Sequence, residues 1–208
     1  MGDYVTAAEV AYDPVGERRT SVGSFSYMPE VSDGFHAVYH DPRSRHTLIG
    51  IRGTNPTSVG DLQADLSITA GREDSDIRFQ HSEAKLAEIV GKYGGGDHGK
   101  VKVAGHSLGG QIVSRLIAKH GDKGLEGHAF NPGSGPLQTV RNAKCYVFNS
   151  AECQNQRQGL HVHTVEGDPL SFAWHVSTNA ASKTHTRYRA KHGAGALAAH
   201  SMANFRRL

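Results

Sequence analysis

Residues 101–110 read VKVAGHSLGG and constrain this chain more than any other stretch. The segment contains Gly105-His106-Ser107-Leu108-Gly109, a G-x-S-x-G pattern. Val101, Val103 and Ala104 form a short apolar run suited to a strand. QIVSRLIAKH follows, with Ile112, Val113, Leu116 and Ile117 on one helical face. The serine therefore falls where a strand turns sharply into a helix, the context of a nucleophile elbow. Glycines at 105 and 109 let strand and helix approach closely and leave Ser107 room for a strained backbone. The new helix aims its first N–H groups at the place where an oxyanion would form.

The chain's 208 residues fit one domain, residues 1–208, with a single sizeable core. Hydrophobic residues make up 37% and mean hydropathy is −0.48, which points to a soluble protein. No run approaches the roughly 20 apolar residues that cross a bilayer. The first 19 residues lack a basic start followed by an apolar stretch, so no secretory signal is read there, and a cytoplasmic location is favoured. Net charge is +3 and the charges are scattered, which argues against nucleic-acid binding. Cys145 and Cys153 match no zinc pattern; they could be bridged across a loop or both be free, and free thiols are favoured.

Along the chain, 4–12 suits a short helix or an edge segment. GFHAVY at 34–39 and HTLIGI at 46–51 read as two strands of a hairpin that ends in Arg52-Gly53-Thr54. A short helix is expected near 59–66. Leu86, Ile89, Val90 and Tyr93 mark an amphipathic helix, stopped by glycines 94–96. The elbow helix is expected to close on Gly121. Strands are expected at 125–131, 145–148 and 161–165, short helices at 137–142 and within 195–205, and an extended piece near 186–192. This alternation from Thr47 onward predicts an α/β fold with a mostly parallel central sheet flanked by helices. Ligands of such sheets bind beyond the carboxyl ends of the strands. Thr54, Ser107, Asn131 and Asp168 each follow a predicted strand and would share that rim.

A serine hydroxyl needs a base, and the base needs an acid to orient it. In α/β-hydrolases the acid and then the base follow the serine in sequence. Asp122 lies beyond the elbow helix, roughly 20 Å from Ser107 at 1.5 Å per residue. Asp168 follows a strand and is the better acid, with Glu166 in reserve. Candidates for the base are His175, His185, His192 and His200, and spacing leaves His200 and His175 about even. Leu108, after the nucleophile, supplies one oxyanion N–H. Thr54 is placed to supply the other, with its hydroxyl as a third donor.

With these pieces assembled, the sequence resembles the lipase class 3 family of α/β-hydrolases over roughly residues 34–205. The resemblance rests on GFHAVYHD, the IRGT of 51–54 with Asp65 downstream, GHSLGG, HAFNPGSGP, VEGDPLS and AHSMANF. It implies Ser107 as nucleophile, Asp168 as acid and His200 as base, with Thr54 and Leu108 at the oxyanion hole, and it selects His200 over His175. Larger members carry an apolar lid helix where 55–73 here is short and polar, and a tryptophan often found near that aspartate is absent. This favours a small esterase, or a lipase with an open site.

The expected function is hydrolysis of carboxylic esters, lipid esters among them, through an acyl-enzyme and without a cofactor or metal. The expected partners are an ester or lipid substrate and, peripherally, a lipid interface. Two alternatives remain open: a catalytically idle hydrolase fold that serves as a binding module, and acyl transfer or amide hydrolysis by the same triad. His161 and His163 share one side of a strand, as two ligands of a metal site would, but no third ligand is evident from the sequence.

Overall fold

A computed structural model describes residues 1–54, 77–134, 136–171, 174, 181–190 and 196–206. The helix expected near 59–66, Asp65, the polar segment 55–73, His175 and His192 lie outside the described residues.

The described strands form one eight-stranded sheet whose spatial order follows the sequence. They are β1 (Ser21–Val22), β2 (Phe25–Tyr27), β3 (His36–Asp41), β4 (His46–Ile51), β5 (Val101–His106), β6 (Glu126–Phe130), β7 (Leu160–Val165) and β8 (Thr184–Tyr188). β1 to β4 pair antiparallel and β4 to β8 pair parallel, so the sheet is mixed, with its parallel half carrying the elbow. The antiparallel β1–β2 edge was not expected from the sequence. These strands have two and three residues, too short to show an alternating pattern.

A parallel sheet laid down in sequential order with right-handed crossovers puts every connecting helix on one face. That face carries α2 (Ile77–Lys92), α3 (Leu108–His120) and α5 (Ala151–Gly159), whose buried residues Leu86, Ile89, Val113, Leu116, Ile117 and Cys153 join Ile49, Val103 and Val162 in one apolar cluster. The opposite face is covered from the two ends of the chain. Val5, Ala8 and Ala11 of α1 (Gly2–Val10) and its C-cap pack there with Ala199 of α6 (Ala196–His200), Met202 and Phe205. Both faces are thus dry, which explains why β3 to β7 read as near-continuous apolar runs.

Two local expectations are corrected. CYVF at 145–148 looks β-prone, yet residues 145–147 end helix α4 (Pro136–Val147). Ser150 caps α5, accepting from Cys153 N at 3.4 Å. The junction brings the Cα atoms of Cys145 and Cys153 to 5.5 Å, and the two form a disulfide rather than free thiols. The elbow helix closes on Gly121 as expected, though that cap is right-handed, and a short 3-10 turn follows it. The left-handed cap is Gly124, at φ 83°.

Buried histidines mark the sheet. His106, His128 and His163 are held neutral, with pKa values pushed down to about 3, 2 and 3, by burial first and by neighbouring imidazoles second. In the unfolded chain such groups titrate near pH 6.5. Between these limits the unfolded state binds more protons, so stability is lost as pH falls through about 6.5 and on toward 3, at about 1.4 kcal/mol per pH unit per histidine. The urea midpoint is therefore expected to fall steeply from pH 7 to pH 5, and a flat profile would refute this account. Replacing both cysteines by serine should lower stability by about 2–3 kcal/mol, as expected for releasing so short a loop, measured by the same unfolding.

Candidate functional site

The elbow is built by close approach. A Cβ on Gly105 would strike the backbone of Gly109, and one on Gly109 would strike the carbonyl of Ile51. With glycine at both positions, the first turn of α3 lies against the ends of β4 and β5. The chain can reverse that tightly only if Ser107 takes φ 58°, ψ −123°, a conformation costly for a side-chain-bearing residue. Hydrogen bonds on both sides hold it there. Ser107 N donates to Phe130 O at 3.1 Å, and Ser107 O accepts from Gln111 N and Gly133 N at 3.0 and 3.2 Å.

His200 lies at the end of α6, and its Nδ1 pairs with Asp168 Oδ2 at 2.9 Å. Asp168 is buried, which raises its pKa. His200, Ser171 Oγ at 2.7 Å and Leu170 N at 3.0 Å outweigh that and leave the carboxyl below its ordinary range. The aspartate is therefore ionised and accepts three hydrogen bonds, and it fixes His200 with Nε2 facing away from it. His200 Nε2 and Ser107 Oγ are both buried, and neither has a hydrogen-bond partner among the described residues. Buried polar atoms are nearly always paired, so two orphans in one site are the signature of groups reserved for something else.

Of the residues singled out from the sequence, Ser107, Asp168, His200, Leu108 and Thr54 gather at one rim of the sheet. Leu108 opens α3, so its N–H is among the four that have no partner within the helix. Thr54 follows β4 and receives Arg78 Nη1 on its hydroxyl at 3.5 Å. Thr54, His106 and His200 line a cleft of about 490 Å³, together with Tyr12, Asp13 and Met202. Asp168, and not Glu166, is the carboxylate that His200 Nδ1 meets. The Glu166 N–H pairs with Tyr188 O in the continuation of the sheet. His185 bonds Thr164 Oγ1 at 2.8 Å on the β7–β8 ladder and is a sheet residue.

Three further residues support the site: His106, which the sequence places in the elbow as a structural residue, and Tyr12 and Asn131, which were not assigned a part in it. His106 Nε2 pairs with His200 O at 2.6 Å, while its Nδ1 faces Tyr12 OH at 3.1 Å. A carbonyl only accepts, so Nε2 carries the proton and Nδ1 accepts from the tyrosine. Burial raises the Tyr12 pKa well above its ordinary value, which keeps that donor in place. Asn131 is fully buried at φ 40°. Its Nδ2 donates to Ala199 O at 3.0 Å and its Oδ1 accepts from Val165 N at 2.8 Å, tying the end of β6 to β7 and to the residue before His200. The hint in the sequence was its place directly after a strand, followed by proline.

No family model matches the chain, and no curated protein matches it in sequence. Solved structures do match in fold. A triacylglycerol lipase from Penicillium expansum superposes with a TM-score of 0.50 at 14% identity, covering 95% of this chain and 80% of that one. The Lip2 lipase of Yarrowia lipolytica also gives 0.50, at 17% identity, covering 82% of this chain and 71% of that one.

Replacing Asn131 by alanine would strand the buried Val165 N–H at a cost of about 1–3 kcal/mol, while Ala199 O keeps Asn204 Nδ2 at 3.2 Å. Calorimetry should show a melting temperature lower by several degrees, and an unchanged value would remove Asn131 from this role. With its eight-stranded sheet flanked by helices and its strand–serine–helix elbow, the chain has the α/β-hydrolase fold that these fungal lipases share.

Proposed function

We propose that residues 1–208 act as one hydrolase domain that cleaves carboxylic esters, lipid esters among them, with Ser107 as nucleophile, His200 as base and Asp168 as orienting acid. The observation that carries the reading is the pair of buried, unpartnered atoms, Ser107 Oγ and His200 Nε2, with His200 already oriented by an ionised Asp168. His200 Nε2 takes the hydroxyl proton as Oγ attacks the ester carbonyl. The charge that develops on the carbonyl oxygen is met by the N–H groups of Leu108 and Thr54 and by the Thr54 hydroxyl. Nε2 then gives its proton to the departing alkoxide. A water repeats the sequence on the acyl-enzyme, releasing the acid and restoring Ser107.

Asp168 is not protonated in this cycle. Its part is to hold the imidazole and to stabilise the imidazolium that forms, and its three hydrogen bonds suit it to that. The lipase likeness of the fold supports ester chemistry, and because those neighbours are lipases, lipid esters are the first substrates to try. No helix among the described residues is long and apolar enough to cross a membrane, so lipid substrate would be met at an interface or as dispersed monomer. The disulfide moves the favoured compartment from the cytoplasm to an oxidising one, where such bonds persist.

A fluorophosphonate probe should label the folded protein at Ser107. Ser107→Ala should abolish both labelling and p-nitrophenyl ester turnover, and His200→Ala should reduce turnover by about 10³-fold or more. If His175→Ala proved the damaging change instead, the assignment of the base would fall. An unlabelled, folded wild-type protein would defeat the enzyme reading as a whole.

A further inference from the structure

The pair His161 and His163 finds its missing neighbours across the sheet. β6 and β7 are parallel with His128 opposite His161, and Glu126 lies two residues before His128, so the three side chains share one face. The ligand atoms of Glu126, His128 and His161 all lie within 4.8 Å of one another. Glu126 and His161 are half-buried and reachable from solvent, while His128 is buried behind them. The His128 ring is stacked between Tyr4, at 3.8 Å, and His161, at 4.6 Å between centroids.

The surroundings supply partners for the ring nitrogens that would not face the ion. His128 Nδ1 meets His163 Nε2 at 3.0 Å, and His163 Nδ1 meets Tyr188 OH at 3.2 Å. If His128 Nδ1–H donates along this chain, the Nε2 lone pair of His128 is free to bind. His161 Nδ1 faces Thr184 Oγ1 at 2.8 Å, a partner that can accept a proton there and free Nε2. Imidazole ligands of metals are held in this way, by donating their other N–H. His161 Nε2 and Glu126 Oε1 already face each other at 2.7 Å, while Lys102 occupies the other oxygen, Oε2, at 2.6 Å. Lys183 approaches Oε1 only to 3.9 Å, from an exposed position.

From this arrangement we infer that Glu126, His128 and His161 form a site for a zinc-class divalent cation across strands β6 and β7, apart from the Ser107 rim. Two imidazole nitrogens and one carboxylate oxygen suit Zn²⁺, with a water as fourth ligand. Tetrahedral bonds of about 2.0–2.1 Å place ligand atoms about 3.3 Å apart, so atoms now within 4.8 Å must close by up to about 1.5 Å, and one of the two stacked imidazoles must rotate out of its parallel plane to aim its lone pair at the ion. On binding, the ion replaces the proton between His161 and Glu126. That ring stays neutral, with its proton now on Nδ1 and donated to Thr184. The ion then clamps two central strands whose ends carry Asn131 and Asp168, so the effect is on stability and not on the ester chemistry.

The test uses the full chain without a histidine tag, stripped with chelator and titrated calorimetrically with Zn²⁺. One ion should bind per chain, and at a hundredfold excess over Kd the melting temperature should rise by about 5–10 °C. Ca²⁺ and Mg²⁺ should give no shift. His161→Ala and Glu126→Gln, shown to be folded by circular dichroism, should each weaken Zn²⁺ binding at least tenfold and remove the thermal shift. Asp33, His36 and His81 form a second candidate group, with Lys85 Nζ 3.6 Å from Asp33. Binding that survives both β6–β7 substitutions, or that is lost in His81→Ala, would overturn the proposal, as would the absence of binding to wild type.

Discussion

Everything in the candidate site depends on how closely α3 approaches the ends of β4 and β5. Two glycines permit a backbone-to-backbone contact that any side chain would block. The cost is borne at Ser107, the one residue of the turn that must keep a side chain and still adopt positive φ. Strain of this kind, of order 1–3 kcal/mol, persists only where the surroundings over-determine it. Here they do. Phe130 O fixes the serine N–H, and Gly133 and Gln111 share its carbonyl. The serine is held by its backbone, so its side chain need not serve as an anchor.

His200, the proposed base, is positioned on the same logic from the other side of the rim. Asp168 holds the imidazole, His106 holds its backbone carbonyl, and Asn131 holds the residue before it. His106 is the neighbour of Ser107 in sequence, so the elbow itself reaches across to the segment bearing the base. Tyr12 sets the direction of that bond by donating to the far nitrogen of His106. This gives the first 33 residues a part beyond covering the sheet.

What the sequence made legible was wherever local pattern and global structure agree. The elbow, the β3–β4 hairpin, the amphipathic stripe of α2 and the rim residues all follow from spacing and strand ends. Choosing His200 over His175 needed the family likeness, because helix and loop geometry near the C-terminus is not coded in spacing. The misses share a physical cause. CYVF has strand propensity yet ends a helix, since its cysteine is committed to Cys153. α5 was not foreseen because it has no apolar stripe. It docks on α3 through buried amides, Asn155 Nδ2 on Ala118 O at 2.8 Å and Gln156 Nε2 on Ser114 Oγ at 3.0 Å, and hydrophobic periodicity cannot register amides. Asn131 likewise acts through hydrogen bonds to backbone more than 30 residues away in sequence.

One face of the sheet is closed by α1 together with α6, Met202 and Phe205, segments nearly 200 residues apart. During synthesis, α1 and the elbow emerge early, while Ala199, His200 and Phe205 emerge among the last of the described residues. Until then that apolar face stays half-covered, and Ser107 has no His200 across the rim from it. The same docking step that seals this face of the sheet also brings His200 to Asp168, so packing and assembly of the candidate site are a single event.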